Sequence, residues 1–251
     1  MSLVNNRIYS ELGARWYEAE DDPVALLRAE SRLRNPWLAK RIEGSFAARP
    51  CRVLDIGCGA GFLGNYLAEL GHRVTGIDEA NDALAVARQH DASGRANYQQ
   101  GDALHLPFES GSFDVVCALD FLEHVENPDR AIEEAARVLA PGGSFFFHTF
   151  NRNFWSWLVI IKGVEWFVRN TPRDLHVLRL FLKPAEVSAA CLRHGLDTPF
   201  FHGVRPKLGV AFWKMLFTRR VSNDFAFTFT PSTLLGYTGV AHKRGGSSTV
   251  A

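Results

Sequence analysis

The chain has 251 residues, 47% hydrophobic and 22% charged, a balance that excludes a disordered, collagen-like or disulfide-stapled protein. That length suffices for one large domain with a sizeable core. Lys and Arg number 28 against 27 Asp and Glu, a formal net charge of +1, so no overall field recruits nucleic acid and none is expected as a partner.

In chain order, residues from Arg7 to Phe46 read as an amphipathic helical extension, with Leu26, Leu27, Leu33, Trp37, Leu38 and Ile42 recurring near the helical period. The texture then changes. Cys51–Ile56 predicts a strand, Gly57 to Gly61 a glycine turn and Phe62–Leu70 a helix. A second strand follows at Arg73–Asp78, a helix at Ala80–His90, and strands at Asn97–Gln100 and Ser112–Leu119. A helix at Asp129–Leu139 ends in Pro141-Gly142-Gly143, before a fifth strand at Ser144–Phe150. Strands alternating with helices at this spacing predict an α/β fold with a doubly wound, Rossmann-like parallel sheet.

Beyond Phe150 the alternation pauses at an aromatic helix over Asn153–Val168; a helix at Pro184–His194 and a strand at Gly195–Phe201 follow. A last strand is expected at Leu234–His242, in a hairpin with Phe225–Phe229. The expected organisation is a single domain over 1–244: a helical extension (1–48), a ligand-binding core (51–150) and an aromatic insertion (151–183). A flexible tail is expected at 245–251. Cys51, Cys58, Cys117 and Cys191 form neither a CxxC pair nor a zinc spacing, so buried free thiols in a reducing compartment are expected. The first residues lack the apolar run of a signal peptide, and no stretch reads as a membrane span. A cytoplasmic location follows, peripheral on the inner membrane face if the aromatic insertion touches lipid.

The glycine turn stands where a doubly wound sheet brings a nucleotide-like ligand against the backbone, because a Cβ there would block the approach. Gly59-Ala60-Gly61-Phe62-Leu63-Gly64 matches the dinucleotide pattern GxGxxG, with Asp78 placed for a ribose. Asp55, just before the glycines, suits a cationic ligand better than a pyrophosphate.

Here the sequence resembles the class I S-adenosylmethionine-dependent methyltransferases. Leu54-Asp55-Ile56-Gly57-Cys58-Gly59-Ala60-Gly61, Val74-Thr75-Gly76-Ile77-Asp78, Gly101-Asp102-Ala103, Ser112-Phe113-Asp114-Val115-Val116 and Leu139-Ala140-Pro141-Gly142-Gly143 are similar to that superfamily's motifs, in order. The resemblance implies that Gly57 and Gly59 pass against the donor's amino-acid part near Asp55. It further implies that Asp78 takes the ribose hydroxyls, that Asp102, with Ala103, meets the adenine, and that Leu119 lines the site.

Among these enzymes the chain resembles the ubiquinone-biosynthesis O-methyltransferases, which methylate hydroxyls on polyprenylated phenols and catechols. Arg15-Trp16-Tyr17, Leu33-Arg34, Asp120-Phe121-Leu122-Glu123-His124-Val125, Asn151-Arg152-Asn153 and His176 with Lys183-Pro184 carry the likeness. Position 120 is Asp where that family usually has Glu. The resemblance implies a phenolic, quinone-precursor acceptor, Arg34 on the donor carboxylate, and Mg²⁺ on Asp120, Glu123 and His124. These three would share one helical face at i, i+3 and i+4 and activate the phenol, whose free pKa is about 10. His124 as a general base without metal is the alternative.

The helix Phe154–Arg169 is apolar nearly all round, with cations at one end. It is expected either at a membrane surface, collecting a polyprenyl substrate, or covering the sheet, or in a homodimer contact. Phe212–Arg220 is expected to join the same surface. Three further readings stay open: a class I methyltransferase for another small molecule or lipid, a donor-binding module without catalysis, and a nicotinamide-dependent oxidoreductase.

Overall fold

The computed structural model describes residues 7–245. The tail expected at 245–251 therefore lies, beyond Gly245, outside the described residues. The helices are α1 (Arg7–Glu11), α2 (Arg15–Glu18), α3 (Val24–Ser45), α4 (Phe62–Glu69), α5 (Asn81–Gln89), α6 (Pro128–Val138), α7 (Phe154–Ser156), α8 (Gly163–Phe167), α9 (Pro184–Arg193) and α10 (Val210–Thr218). The strands are β1 (Arg52–Ile56), β2 (Arg73–Asp78), β3 (Ala96–Gln100), β4 (Phe113–Leu119), β5 (Leu139–Phe150), β6 (Phe200–Pro206), β7 (Phe227–Thr230) and β8 (Gly236–His242).

The strands form one sheet in the order β3-β2-β1-β4-β5-β8-β6-β7. The first five are parallel, and β8 runs antiparallel between β5 and β6. Strand order reverses between β1 and β4, and the crevice at the strands' carboxyl ends there is where such sheets bind ligands. β1 and β4 are central and nearly continuously apolar, as strands covered on both faces must be. Along β5 the side chains alternate: Phe145 and Phe147 pack with α6, α9 and Tyr237, while Phe146 packs opposite, with α3 and α4. Asn127 caps α6 by accepting a hydrogen bond from the Arg130 N–H at 3.1 Å.

Several boundaries differ from the sequence reading. Among the described residues the N-terminal extension is three helices, interrupted at Gly13 and again at Asp21-Asp22-Pro23. Pro141-Gly142-Gly143 does not precede the fifth strand but lies within it, where the pairing with β4 shifts register and Gly142 adopts φ +77°. The aromatic helix is α7, a π-helical turn over Trp157–Lys162, and α8. The sixth strand starts at Phe200 rather than Gly195. β7 pairs with β6 and not with β8, so the expected hairpin does not form. All four cysteines are buried and unpaired.

Candidate active site

A cavity of about 670 Å³ opens at the switch point between β1 and β4. Arg34, Asp55, Gly57, Gly59, Asp78, Asp102, Ala103 and Leu119 all line it. Gly57 has φ +67°, and a Cβ there would lie 2.5 Å from Cδ2 of Phe121. Gly59 has φ +49°, and its missing Cβ leaves room for the Trp16 ring, 3.1 Å away. Both positions thus need glycine for backbone conformation as well as for close approach.

The aspartates differ in setting. Asp55 ends up 3% exposed; burial, with Asp78 nearby, pushes its carboxyl up to about 7. A cationic ligand group would supply the missing counter-charge. Asp78 accepts from the N–H groups of Gly59 and Ala80, both at 2.9 Å. Burial raises its pKa and those two donors oppose the rise. Asp78 therefore shapes the glycine loop while also facing the cavity. Asp102 is half-exposed and tied to His105 Nδ1 at 2.8 Å. That contact, with the Leu104 N–H, holds its carboxyl below the usual range.

The acceptor end is built from distant parts of the chain. Asp120, just past β4, sits at φ +53°. The Arg34 guanidinium from α3 grips its carboxylate with two nitrogens, Nη1 at 2.8 Å from Oδ1 and Nη2 on Oδ2. Burial pushes Asp120 up, but Arg34 outweighs it and the carboxyl stays below its ordinary range. Glu30, one turn before Arg34, lies 3.8 Å from it. His148 on β5 lies 3.6 Å from Asp120 and 3.9 Å from Glu30, and neither ring nitrogen has a hydrogen-bond partner. Burial raises Glu30 to about 8 and lowers His148 to about 3, leaving both neutral near pH 7.

His124 faces the cavity; its neighbour Glu123 is 1% exposed and does not. Glu123 lies on the Thr149 side, and burial, with Asp120 nearby, raises it to about 8. Burial lowers His124 to about 4, against the pull of Asp120. The His176 ring stands 5.4 Å from that of His124, and the Tyr9 ring from α1 meets it edge-on at 5.7 Å.

The residues present do not fit the Mg²⁺ site expected on Asp120, Glu123 and His124. Both Asp120 oxygens are engaged by Arg34, and Glu123 turns away from the cavity. Leu122–His124 is a single 3-10 turn, which removes the α-helical spacing that was to bring the three together. Among the described residues, the ligand atoms that converge within 4.8 Å belong to Glu30, Asp120 and His148. Sequence reasoning missed Glu30, His148 and Tyr9. Glu30 and His148 carry no local signal, since one lies mid-helix and the other mid-strand. Tyr9 could have been noted only as an aromatic near Trp16.

A glycine loop after β1, an acidic residue ending β2 and a cavity at the switch point together define a class I S-adenosylmethionine-dependent methyltransferase. Residues 54–147 match the family described as Methyltransferase domain. The chain is 37% identical over 199 residues to the ubiquinone biosynthesis O-methyltransferase of Bordetella avium, covering 78% of this chain and 81% of that one. It is 36% identical over 182 residues to the enzyme of the same name from Erwinia tasmaniensis, covering 71% and 73%. The chain belongs to this family, the ubiquinone biosynthesis O-methyltransferases. Its fold is shared by magnesium protoporphyrin IX methyltransferase from Synechocystis PCC 6803, solved with bound SAH, at TM-score 0.64 and 17% identity over 95% of each chain. It is shared too by an S-adenosylmethionine-dependent methyltransferase from Thermotoga maritima, at TM-score 0.61 and 17% identity over 95% of this chain and 99% of that one.

Proposed function

We propose that this methyltransferase acts on a phenolic or catechol hydroxyl of a polyprenyl-quinone precursor. The observation that carries the reading is the 37% identity, over most of both chains, to an enzyme named for O-methylation in ubiquinone biosynthesis. An acceptor end with an imidazole beside a carboxylate is chemically suited to it.

In this reading Gly57 and Gly59 would hold the donor's amino-acid part near Asp55, Asp78 its ribose and Asp102 its adenine. The acceptor oxygen attacks the methyl carbon; the new O–C bond forms as the C–S bond breaks, and that electron pair returns to sulfur as a neutral thioether. The acceptor's proton passes to His124. Burial lowers its pKa to about 4, so the imidazole is neutral near pH 7, and Asp120 stabilises the imidazolium as it forms.

The same reading places the apolar helices at a lipid surface. α8 and α10 pack together through Val164, Phe167, Phe212 and Met215. That packing leaves Trp166 and Trp213 each 54% exposed and Phe217 87% exposed; on α7, Phe154 and Trp155 are 61% and 53% exposed. Lys214 and Arg219 are exposed alongside. Aromatic side chains with a basic rim suit an anionic interface. Trp157 is not part of this face: it packs with Phe150, Ile161 and Phe181. Among the described residues no helix is long and apolar enough to cross a membrane.

The test is incubation with S-adenosylmethionine and a short-chain prenylated catechol. The expected product is the mono-O-methyl ether, identified by mass spectrometry. Methylation of amines or carbon acids, with no phenol accepted, would overturn the assignment.

A further inference from the structure

We propose that the Arg34–Asp120 ion pair takes the place of a divalent cation at the acceptor end of this cavity, and that methyl transfer here runs without one. The proposal rests on the phenolic-acceptor reading for its chemistry, but its geometry stands apart from it. Glu30, Asp120 and His148 bring three ligand atoms within 4.8 Å, an arrangement with the shape of a cation site. His148 is fully buried with both ring nitrogens unpartnered. The positive charge inside that arrangement is the guanidinium: Arg34 Nη1 lies 2.8 Å from Asp120 Oδ1 and 3.8 Å from Glu30 Oε2.

A metal ion would compete with Arg34 for Asp120, both of whose oxygens the guanidinium already engages. It would also set a second cation beside a guanidinium that is 2% exposed. Arg34 lines the cavity, and no protein atom accepts from its Nε. The guanidinium supplies positive charge at the cavity wall, where an acceptor losing its proton to His124 would develop negative charge.

The wild-type protein, washed with chelator and loaded with S-adenosylhomocysteine, tests this without substitutions. Titration with Mn²⁺, read by electron paramagnetic resonance, should show no stoichiometric site. A phenolate absorption band should develop when 4-nitrocatechol binds in EDTA, and catechol methylation should differ less than twofold between EDTA and Mg²⁺. One Mn²⁺ per chain at submillimolar affinity, removed by Asp120→Asn, would overturn the proposal, as would a phenolate band or turnover that needs Mg²⁺. If no phenol is bound or methylated with or without Mg²⁺, the acceptor reading fails, and the Mn²⁺ count alone decides the ion-pair proposal.

Discussion

The donor end and the acceptor end of the cavity are made in different ways. The donor end comes from strand ends and turns within residues 55–103, and its chemistry is largely backbone: two glycines held open, and an aspartate bound by two N–H groups. The acceptor end joins α3, the turn after β4, and β5, and its chemistry is a buried set of charges that balance one another. A site made from one contiguous stretch can be read from spacing. A site made from pieces more than a hundred residues apart is specified by packing, and its pairings have no local signature.

The contrast can be broken most forcefully at Arg34. Arg34→Met leaves Asp120 buried without its partner and should lower stability by about 3–5 kcal/mol in urea titration. Adding Asp120→Asn should recover at least half of that loss, since asparagine tolerates the left-handed backbone at this position and carries no charge. Equal stability of the wild type and Arg34→Met would mean that the acceptor end is not charge-locked. At the donor end the effect should fall on binding: Asp78→Ala should weaken S-adenosylmethionine by about 2–3 kcal/mol through loss of charged hydrogen bonds, measured by calorimetry.

A smaller effect follows from Asp55. Its pKa in the free enzyme is about 7, above the unfolded value of about 3.9. The protonated form is therefore favoured by folding, and its contribution to apo stability is lost as pH rises between those values. A ligand ammonium favours the ionised form, so below pH 7 donor binding must expel a proton. Donor affinity should fall by up to about tenfold per pH unit from 7 toward 5, with proton release visible as buffer-dependent binding enthalpy. A flat profile would place the ammonium elsewhere. The smallest effect on the folded protein should come from Trp213→Ser with Phe217→Ser, within about 0.5 kcal/mol in stability because both are exposed. Sedimentation with anionic vesicles should nevertheless drop, and an unchanged vesicle-bound fraction would remove α10 from any lipid contact.

The parallel sheet was legible because its hydrophobic runs alternate with helices at regular spacing, and the glycine loop because its residue types are sterically forced. Asp78 was picked out by its place at the end of the second strand and lines the cavity, although its hydrogen bonds to the loop could not be foreseen. The trio Asp120, Glu123 and His124 was expected to act together because i, i+3 and i+4 share a helical face. The chain instead takes a left-handed step at Asp120 and a 3-10 turn, so Glu123 and His124 diverge. Arg34 was picked out by resemblance; its engagement with Asp120 depends on the path of α3 across the sheet. The hairpin of β7 with β8 was expected because strands adjacent in sequence usually pair, whereas β8 inserts between β5 and β6 and leaves β7 on β6.

That insertion bears on how the protein is made. β8 joins to β5 on one side and β6 on the other, so the sheet has a missing centre until residues 236–242 are available. During synthesis the five parallel strands can assemble first, as earlier segments generally do. β5 and β6 then wait with unsatisfied edges, which are templates for pairing with other chains. A chain interrupted before Gly236 would carry an intact glycine loop and yet present two open, phenylalanine-rich edges to its neighbours. Soluble yield should therefore depend far more on the residues of β8 than their distance from the donor loop would suggest.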